Sequence, residues 1–457
     1  MKNASVSIVI LAAGAGSRMK SQTPKVLHKI CGKEMLFYSI DEALAISDDI
    51  HIVLFHHAEM IKERIMAHYP KQPLQFHIQD HQHYPGTGGA LMRGNRQSNE
   101  LFCEEQAKTF FSCRYEEILV LNGDMPLVRS HTLHKLCEIQ AKIVMSVLHL
   151  SNPDGYGRVL IESGKVCKIV EQKDATNEEL KICDVNAGVY KFHKSILEAY
   201  LPKLNNNNQQ KEFYLTDVIA LAYLDGVEVL TLEVEEEEFM GVNSKFELSQ
   251  AQEVMLHRLR YQAMKEGVIM QLPHTIYIES GVRFSGECII EQGVQILGQC
   301  EIIESHIKAH SVIESSIIDH SDVGPLAHIR PKSHLIHTHI GNFVETKSAN
   351  LDGVKAGHLS YLGDCEIKKG SNIGAGVITC NYDGKSKHRT FIGENVFVGS
   401  DTQLVAPLCI ESNVLIGAGS TITKNAAQGD LILSRVSQKN VPLGFYKFFP
   451  SQSDKES

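Results

Sequence analysis

The sequence predicts an α/β chain in two parts, an open and mostly parallel sheet joined by one helix to a parallel β-helix. Three observations predict it. Short apolar runs rich in β-branched residues alternate with helix-length amphipathic stretches as far as about Gly226. The segment 244–266 carries helix formers throughout and meets no Gly or Pro before Gly267. Beyond Gly267 one aliphatic side chain recurs every six positions.

In order along the chain, "VSIVILAA", "IHIVLFHH", "EEILVLNGD" and "KIVMSVLHL" read as buried strands, and Met35–Ile46 as a crossover helix. Ligands of such sheets sit beyond the strand carboxyl ends, where the glycines of "VILAAGAGSRM" fall. The acidic run Glu235–Glu238 reads as a solvated loop rather than a metal site. The expected divisions are 1–243 for the sheet domain, 244–266 for the helix and 267–457 for the β-helix. Val282, Cys288, Val294 and Cys300 set the six-residue beat, and Ile392, Val398, Leu404, Ile410, Ile416 and Ile422 hold it without a miss. One inward aliphatic per flat face describes a coil of hexapeptide repeats. The stretch "TCNYDGKSKHRT", Thr379–Thr390, breaks the beat and must leave the coil as a loop.

Composition excludes several classes of function. At 457 residues the chain is too long for one ordinary core, so two or three domains are expected. A net charge of −9 with no basic block makes nucleic acid a poor partner. No apolar run approaches the roughly 20 residues that span a bilayer, so no membrane partner is expected. Eleven cysteines without a CxxC pair suit a reducing compartment, and a cytoplasmic location is the expectation. The opening segment, with Lys2, an apolar run and the Ala13-Gly14-Ala15 triplet, can also be read as an export signal. The cysteines weigh against that reading. The last seven residues are expected to be disordered.

Gly14 and Gly16 let backbone N–H groups approach an anion, and Arg18 and Lys25 add two cations, so the loop is a candidate polyphosphate cradle. It is neither a Walker A sequence nor a full dinucleotide fingerprint. With "LAAGAGSRM…PK" the chain resembles the sugar-1-phosphate nucleotidyltransferases, Ser17 standing for their usual threonine. The resemblance implies a Rossmann-like nucleotidyltransferase domain that binds UTP and its sugar nucleotide through Leu11, Gly14, Lys25, Gln79, Gly86, Thr87, Gly157, Glu171, Asn186 and Asn243. It implies Mg²⁺ on Asp124 and Asn243, with Arg18 and Lys25 as catalytic cations. Phosphoryl-type transfer needs alignment and charge neutralisation, which such a kit supplies. Asp124 alone, after its strand, can equally be a turn cap.

The second half can be a passive assembly spool, but its local motifs favour chemistry. "HIRPKS", "GNFVETKSA", "KAGHLSYLGD", "NIGAG" and the Thr379–Thr390 loop resemble the acetyltransferase half of the bifunctional uridyltransferase/acetyltransferases that make UDP-N-acetylglucosamine, the precursor for peptidoglycan and lipopolysaccharide. That family acetylates glucosamine-1-phosphate from acetyl-CoA and then transfers UMP from UTP to the product. The resemblance implies sugar-phosphate contacts at Arg330, Lys347, Tyr361 and Asn372, and catalytic roles for His358, Asn381 and Lys387. It implies acetyl-CoA contacts at Ala375, Asn381, Tyr382, Ser400, Ala418 and Arg435. It also implies a left-handed coil and a homotrimer with acetyl sites shared between chains, the loop carrying Lys387 across to the next chain's His358. An amine acceptor needs a base, and an imidazole, ordinarily titrating near pH 6.5, suits the task. Two rivals remain at this point. One is a single-activity nucleotidyltransferase with a non-catalytic β-helix. The other is a zinc site at the interfaces between chains of a β-helix trimer, built from His334, His337, His339 and His358.

Overall fold

The computed structural model describes residues 5–92 and 108–449. Lys2 and the seven C-terminal residues, on which expectations were placed, lie outside the described residues. The chain divides into two units at Arg258, within a continuous helix Lys245–Lys265.

The first unit is built on nine strands: β1 (Val6–Ala12), β2 (Ile50–Leu54), β3 (Leu74–Ile78), β4 (Glu117–Asn122), β5 (Ile143–His149), β6 (Arg158–Glu162), β7 (Lys165–Val170), β8 (Asp184–His193) and β9 (Val229–Glu233). The sheet order is β9-β5-β8-β4-β1-β2-β3, with β6 pairing β8 and β7. β1 is apolar on both faces because both faces are covered. Ile8 and Ile10 pack with Leu36, Phe37 and Ile40 of the helix Met35–Leu44, while Val9 packs on the opposite side with Phe192, Leu197 and Val218. β8 runs antiparallel between β4 and β5, so the sheet is mixed there.

β1 and β4 are parallel neighbours, with Leu11 opposite Asn122. The glycine loop after β1 and Asp124 after β4 therefore emerge side by side at one end of the sheet. The acidic run departs from its expectation at one position. Glu238 is buried and accepts from the Arg129 amide (2.8 Å) and the Thr132 hydroxyl (3.0 Å), placing its negative charge at the start of the helix Ser130–Glu138.

The second unit is a coil of three parallel ladders of ten, nine and eight strands, the left-handed parallel β-helix expected. Taking the ladders in chain order as the first, second and third faces, the inward column of the first runs Ile290, Ile307, Val323, Ile340, Ala356, Ile373, Val398 and Ile416. All of these are buried, and each larger one contributes about 1.5–3 kcal/mol on leaving water.

The beat lost between Glu304 and Gly376 has a physical reason. Leu404 pairs with Ile422, an eighteen-residue coil, whereas Ile302 pairs with Ile318 and Ile318 with Leu335, coils of sixteen and seventeen. Shorter coils keep the three columns while shifting their phase in the sequence. Corners in this stretch turn on non-glycine residues in the left-handed region, among them Ser315, His320, Lys332 and His337. The excursion is shorter than expected, because Thr379 and Cys380 belong to the strand Ile378–Cys380 and Thr390 to the strand Thr390–Ile392.

Candidate active sites

Gly16 carries φ +63°, and a Cβ there would lie 2.7 Å from the Lys25 Cβ, so only glycine lets the loop close over Lys25. The Lys25 ammonium donates to an Asp124 carboxylate oxygen and, at 3.1 Å, to the Asn243 amide oxygen. Beside it opens a cavity of about 460 Å³ lined by Leu11, Gly14, Lys25, Gln79, Gly86, Thr87 and Asp124. Asn122, His56, His81 and Glu212 also line it, and sequence reasoning missed all four. Arg18 is exposed on the short helical turn Ser17–Met19 and is not part of the lining.

Gln79 is buried, and its amide nitrogen donates to the Tyr84 and Gly86 carbonyls, both at 2.9 Å. Those two bonds fix the amide orientation and leave its oxygen as an acceptor. The Thr87 hydroxyl oxygen accepts from the Leu215 amide (3.1 Å). Gly86 sits at φ +91°, and a Cβ there would meet the Phe213 carbonyl oxygen at 2.7 Å. Gly86→Ala is therefore expected to shift this wall of the cavity and to cut uridylyl transfer about tenfold or more, with acetyl transfer unchanged. Paired assays of pyrophosphate and coenzyme A release on one preparation check it.

A second group lies outside the cavity lining. The Gly157 carbonyl accepts from the Asn186 amide at 2.9 Å, and a Cβ on Gly157 would stand 3.6 Å from the Glu171 carboxyl carbon. Burial pushes the Glu171 carboxyl up, opposed by a hydrogen bond from the Thr216 hydroxyl at 3.2 Å. The structure thus joins Gly157, Glu171 and Asn186 and adds Thr216, which carries no glycine or charge cue in the sequence.

In the second unit the candidates fall at two corners. At the corner that ends the second face, Arg330 donates to Glu345 at 2.7 Å, and the positive charge of Lys387 stands near Lys347. Lys387 foremost, and then Arg330, by charge, hold the Lys347 ammonium below its usual range. Asn381, buried at the base of the excursion, donates to Asp364 at 2.5 Å and to the Tyr361 hydroxyl at 3.5 Å. The excursion folds back on itself through a Tyr382–Lys387 bridge, leaving Tyr382 exposed. Glu345 and Asp364 were not anticipated, since isolated carboxylates on a repeat carry no spacing signal. Lys387 stands beside Lys347 of its own chain, so these cations assemble without a neighbour.

His358 lies at the corner that opens the second face, exposed, its carbonyl accepting from the Ser360 hydroxyl at 2.9 Å. The register that stacks Ala356, Ile373, Val398 and Ile416 also stacks the residues two further on: His358, Ala375, Ser400 and Ala418. Asp401 donates to the Ala375 carbonyl (2.7 Å), Gly419 to the Ser400 carbonyl (2.8 Å), and the Arg435 guanidinium to the Ala418 carbonyl. This is a column of small residues with a histidine at one end and an arginine at the other. Asn372, half-buried, sits on the adjoining first face beside Lys355 and Phe397. His334 lies on the third face, His337 at the next corner and His339 on the first face, so within one chain the four histidines of the zinc reading do not converge. Among the described residues, only Asp49, His51 and Cys113 form a compact group of possible metal ligands.

A family described as the MobA-like NTP transferase domain matches residues 8–183, and the bacterial transferase hexapeptide family, six repeats, matches 389–424. The bifunctional protein GlmU of Helicobacter hepaticus is 69% identical over 455 residues, covering 99% of both chains. The chain belongs to the bifunctional GlmU family. The GlmU protein of Aliarcobacter butzleri is 57% identical over 446 residues, 98% of this chain and 99% of its own. As a GlmU-family member the chain is an enzyme with both uridyltransferase and acetyltransferase activities, which disfavours the single-activity reading. No described helix is long and apolar enough to cross a membrane.

Proposed function

We propose that the two activities are divided between the Lys25–Asp124–Asn243 centre and the His358 column. The observation that carries this reading is that the Lys25–Asp124–Asn243 group lies wholly in the first unit and the His358 column with the cationic corner wholly in the second. In the first, two hard oxygen donors, one carboxylate and one amide, converge on a single cationic point at the mouth of a nucleotide-sized cavity. One carboxylate with borrowed phosphate and water oxygens suits Mg²⁺. The fit is good, since the Lys25 ammonium already marks a place these oxygens hold a positive charge. When bound, the ion would neutralise charge on the phosphates.

Lys25 then turns from Asp124 to the triphosphate, and the backbone of Gly14 approaches it. Arg18, exposed in the free chain, closes on the departing pyrophosphate. The free oxygen of Gln79 accepts from the N3–H of uracil, which cytosine cannot offer. Gly157, Glu171, Asn186 and Thr216 hold the sugar. A phosphate oxygen of N-acetylglucosamine-1-phosphate attacks the α-phosphorus of UTP, and pyrophosphate leaves from the opposite side.

For acetyl transfer, Arg330, Lys347 and Lys387 hold the sugar phosphate, and Tyr361 and Asn372 orient the ring. His358 takes a proton from the sugar amine as nitrogen attacks the thioester carbonyl, and the bond to sulfur breaks to release coenzyme A. Asn381 donates to the developing oxyanion. The acetyl-CoA arm lies along Ala375, Ser400 and Ala418, with Tyr382 and Arg435 near its far end. Three coils at about 4.8 Å each give a track of roughly 14 Å for an extended arm. All ten described cysteines are free, which supports a reducing, cytoplasmic setting. Incubation with acetyl-CoA, glucosamine-1-phosphate, UTP and Mg²⁺ should yield UDP-N-acetylglucosamine. Formation of pyrophosphate without coenzyme A, or the reverse, would break the division.

The same reading makes the acetyl site shared within a homotrimer. Supporting it, the backbone at His358 and the cationic cluster stand at opposite edges of one face, separated by the length of its three-residue strand, about 10 Å. Flat faces packed around a three-fold axis can bring one chain's His358 to its neighbour's Lys387. Co-refolded His358→Ala and Lys387→Ala chains should then acetylate above the sum of the separate mutants. No gain in verified mixed trimers would assign both residues to one chain's site.

A further inference from the structure

We infer that Glu247 is a positioning residue for uridylyl transfer, acting through the backbone of Asn243; this rests on the reading of Asn243 as a metal ligand. The segment Ser244–Glu247 is a Ser-x-x-Glu capping box at the start of the helix Lys245–Lys265. Its reciprocal half is present, the Glu247 amide donating to the Ser244 hydroxyl at 3.3 Å. The other half does more than cap. One carboxylate oxygen of Glu247 accepts from two successive amides, Ser244 at 2.7 Å and Asn243 at 2.6 Å.

The second of these bonds reaches the residue whose side-chain oxygen faces Lys25 and Asp124. From the other side, the Val242 amide donates to the carbonyl of Asp124 itself at 2.9 Å. The peptide carrying Asn243 is thus held between the backbone of one proposed ligand and the first turn of the helix. Farther along, Arg258 donates to the Leu127 carbonyl at 2.7 Å, tying the helix to the loop beyond Asp124. A charge-assisted bond at a helix start is among the stronger hydrogen bonds, and the negative end suits the helix dipole. Glu247 aims the Asn243 oxygen much as a carboxylate behind a metal-bound histidine aims the ring, where losing such a partner typically costs roughly 10–100-fold in metal affinity or activity.

The test compares Glu247→Ala with Glu247→Gln, Ser244→Ala and Asn243→Ala in the full chain. Ser244→Ala weakens the same helix start but leaves the Glu247 bond to the Asn243 amide. Two quantities are read: binding of Mn²⁺ in the presence of UTP by electron paramagnetic resonance, and the metal dependence of uridylyl transfer. Acetyl transfer and the helical circular dichroism signal serve as folding controls. The expected result is Mn²⁺ affinity about tenfold weaker in Glu247→Ala, largely recovered in Glu247→Gln and near wild type in Ser244→Ala. Equal effects of Glu247→Ala and Ser244→Ala would mean a cap and nothing more, overturning the inference. Weak binding in Asn243→Ala with normal binding in Glu247→Ala would overturn it too, while sparing Asn243 as a ligand. Normal binding in Asn243→Ala would instead overturn the ligand reading itself.

Discussion

Replacing His358 with alanine should lower acetyl transfer by about 10²–10⁴-fold while uridylyl transfer proceeds at its normal rate, since a positioned general base typically supplies that factor. The side chain is exposed on its corner, so its loss removes no packing, and the column through Ala356 and Ile373 is untouched. Coenzyme A and pyrophosphate release measured on one folded preparation gives both rates. A mutant that keeps more than about a tenth of wild-type acetylation would show that the amine loses its proton to another group.

Asp124→Ala should abolish uridylyl transfer to within a small residue, a loss of orders of magnitude, and leave acetyl transfer nearly intact. Two changes act together there: the carboxylate oxygen is gone, and Lys25 loses the stronger of its two partners. An ammonium no longer held at the mouth of the cavity has less reason to stand where the triphosphate must pass. Asp124→Asn, which keeps the shape and loses the charge, should recover little. Matched loss of both activities in either folded variant would be evidence against two separate centres.

Much of this architecture was legible because it rests on periodicity and on glycine. The segment from Ile392 to Ile422 keeps an eighteen-residue coil on all three faces, so its phase in the sequence equals its phase in space. Between Glu304 and Gly376 the coils shorten and the phase drifts, which hid strands that are as regular as the rest. The glycine loop was readable because close approach to Lys25 leaves no alternative residue. Thr216, Glu345 and Asp364 were not, because each serves by touching one residue distant in the chain. Glu238 was misread for a related reason: inside a run of four acidic residues nothing marks the one that turns inward. Arg18 was named by its motif, and the structure leaves it exposed and outside the cavity lining, a placement that spacing does not encode.

The stacked column at the corner of the β-helix works as a ruler. His358, Ala375, Ser400 and Ala418 occupy one step per coil, so the distance from the base to Arg435 comes only in whole coils of about 4.8 Å and cannot be trimmed continuously. Lengthening or shortening a coil by a residue, as the chain does elsewhere, alters a corner but not the height of the stack. With the acetyl-CoA arm along this column, as proposed above, an acyl donor is gauged by counting turns. Deleting one complete coil between His358 and Ala418 would preserve every inward column and still leave the reactive carbonyl one rung out of place.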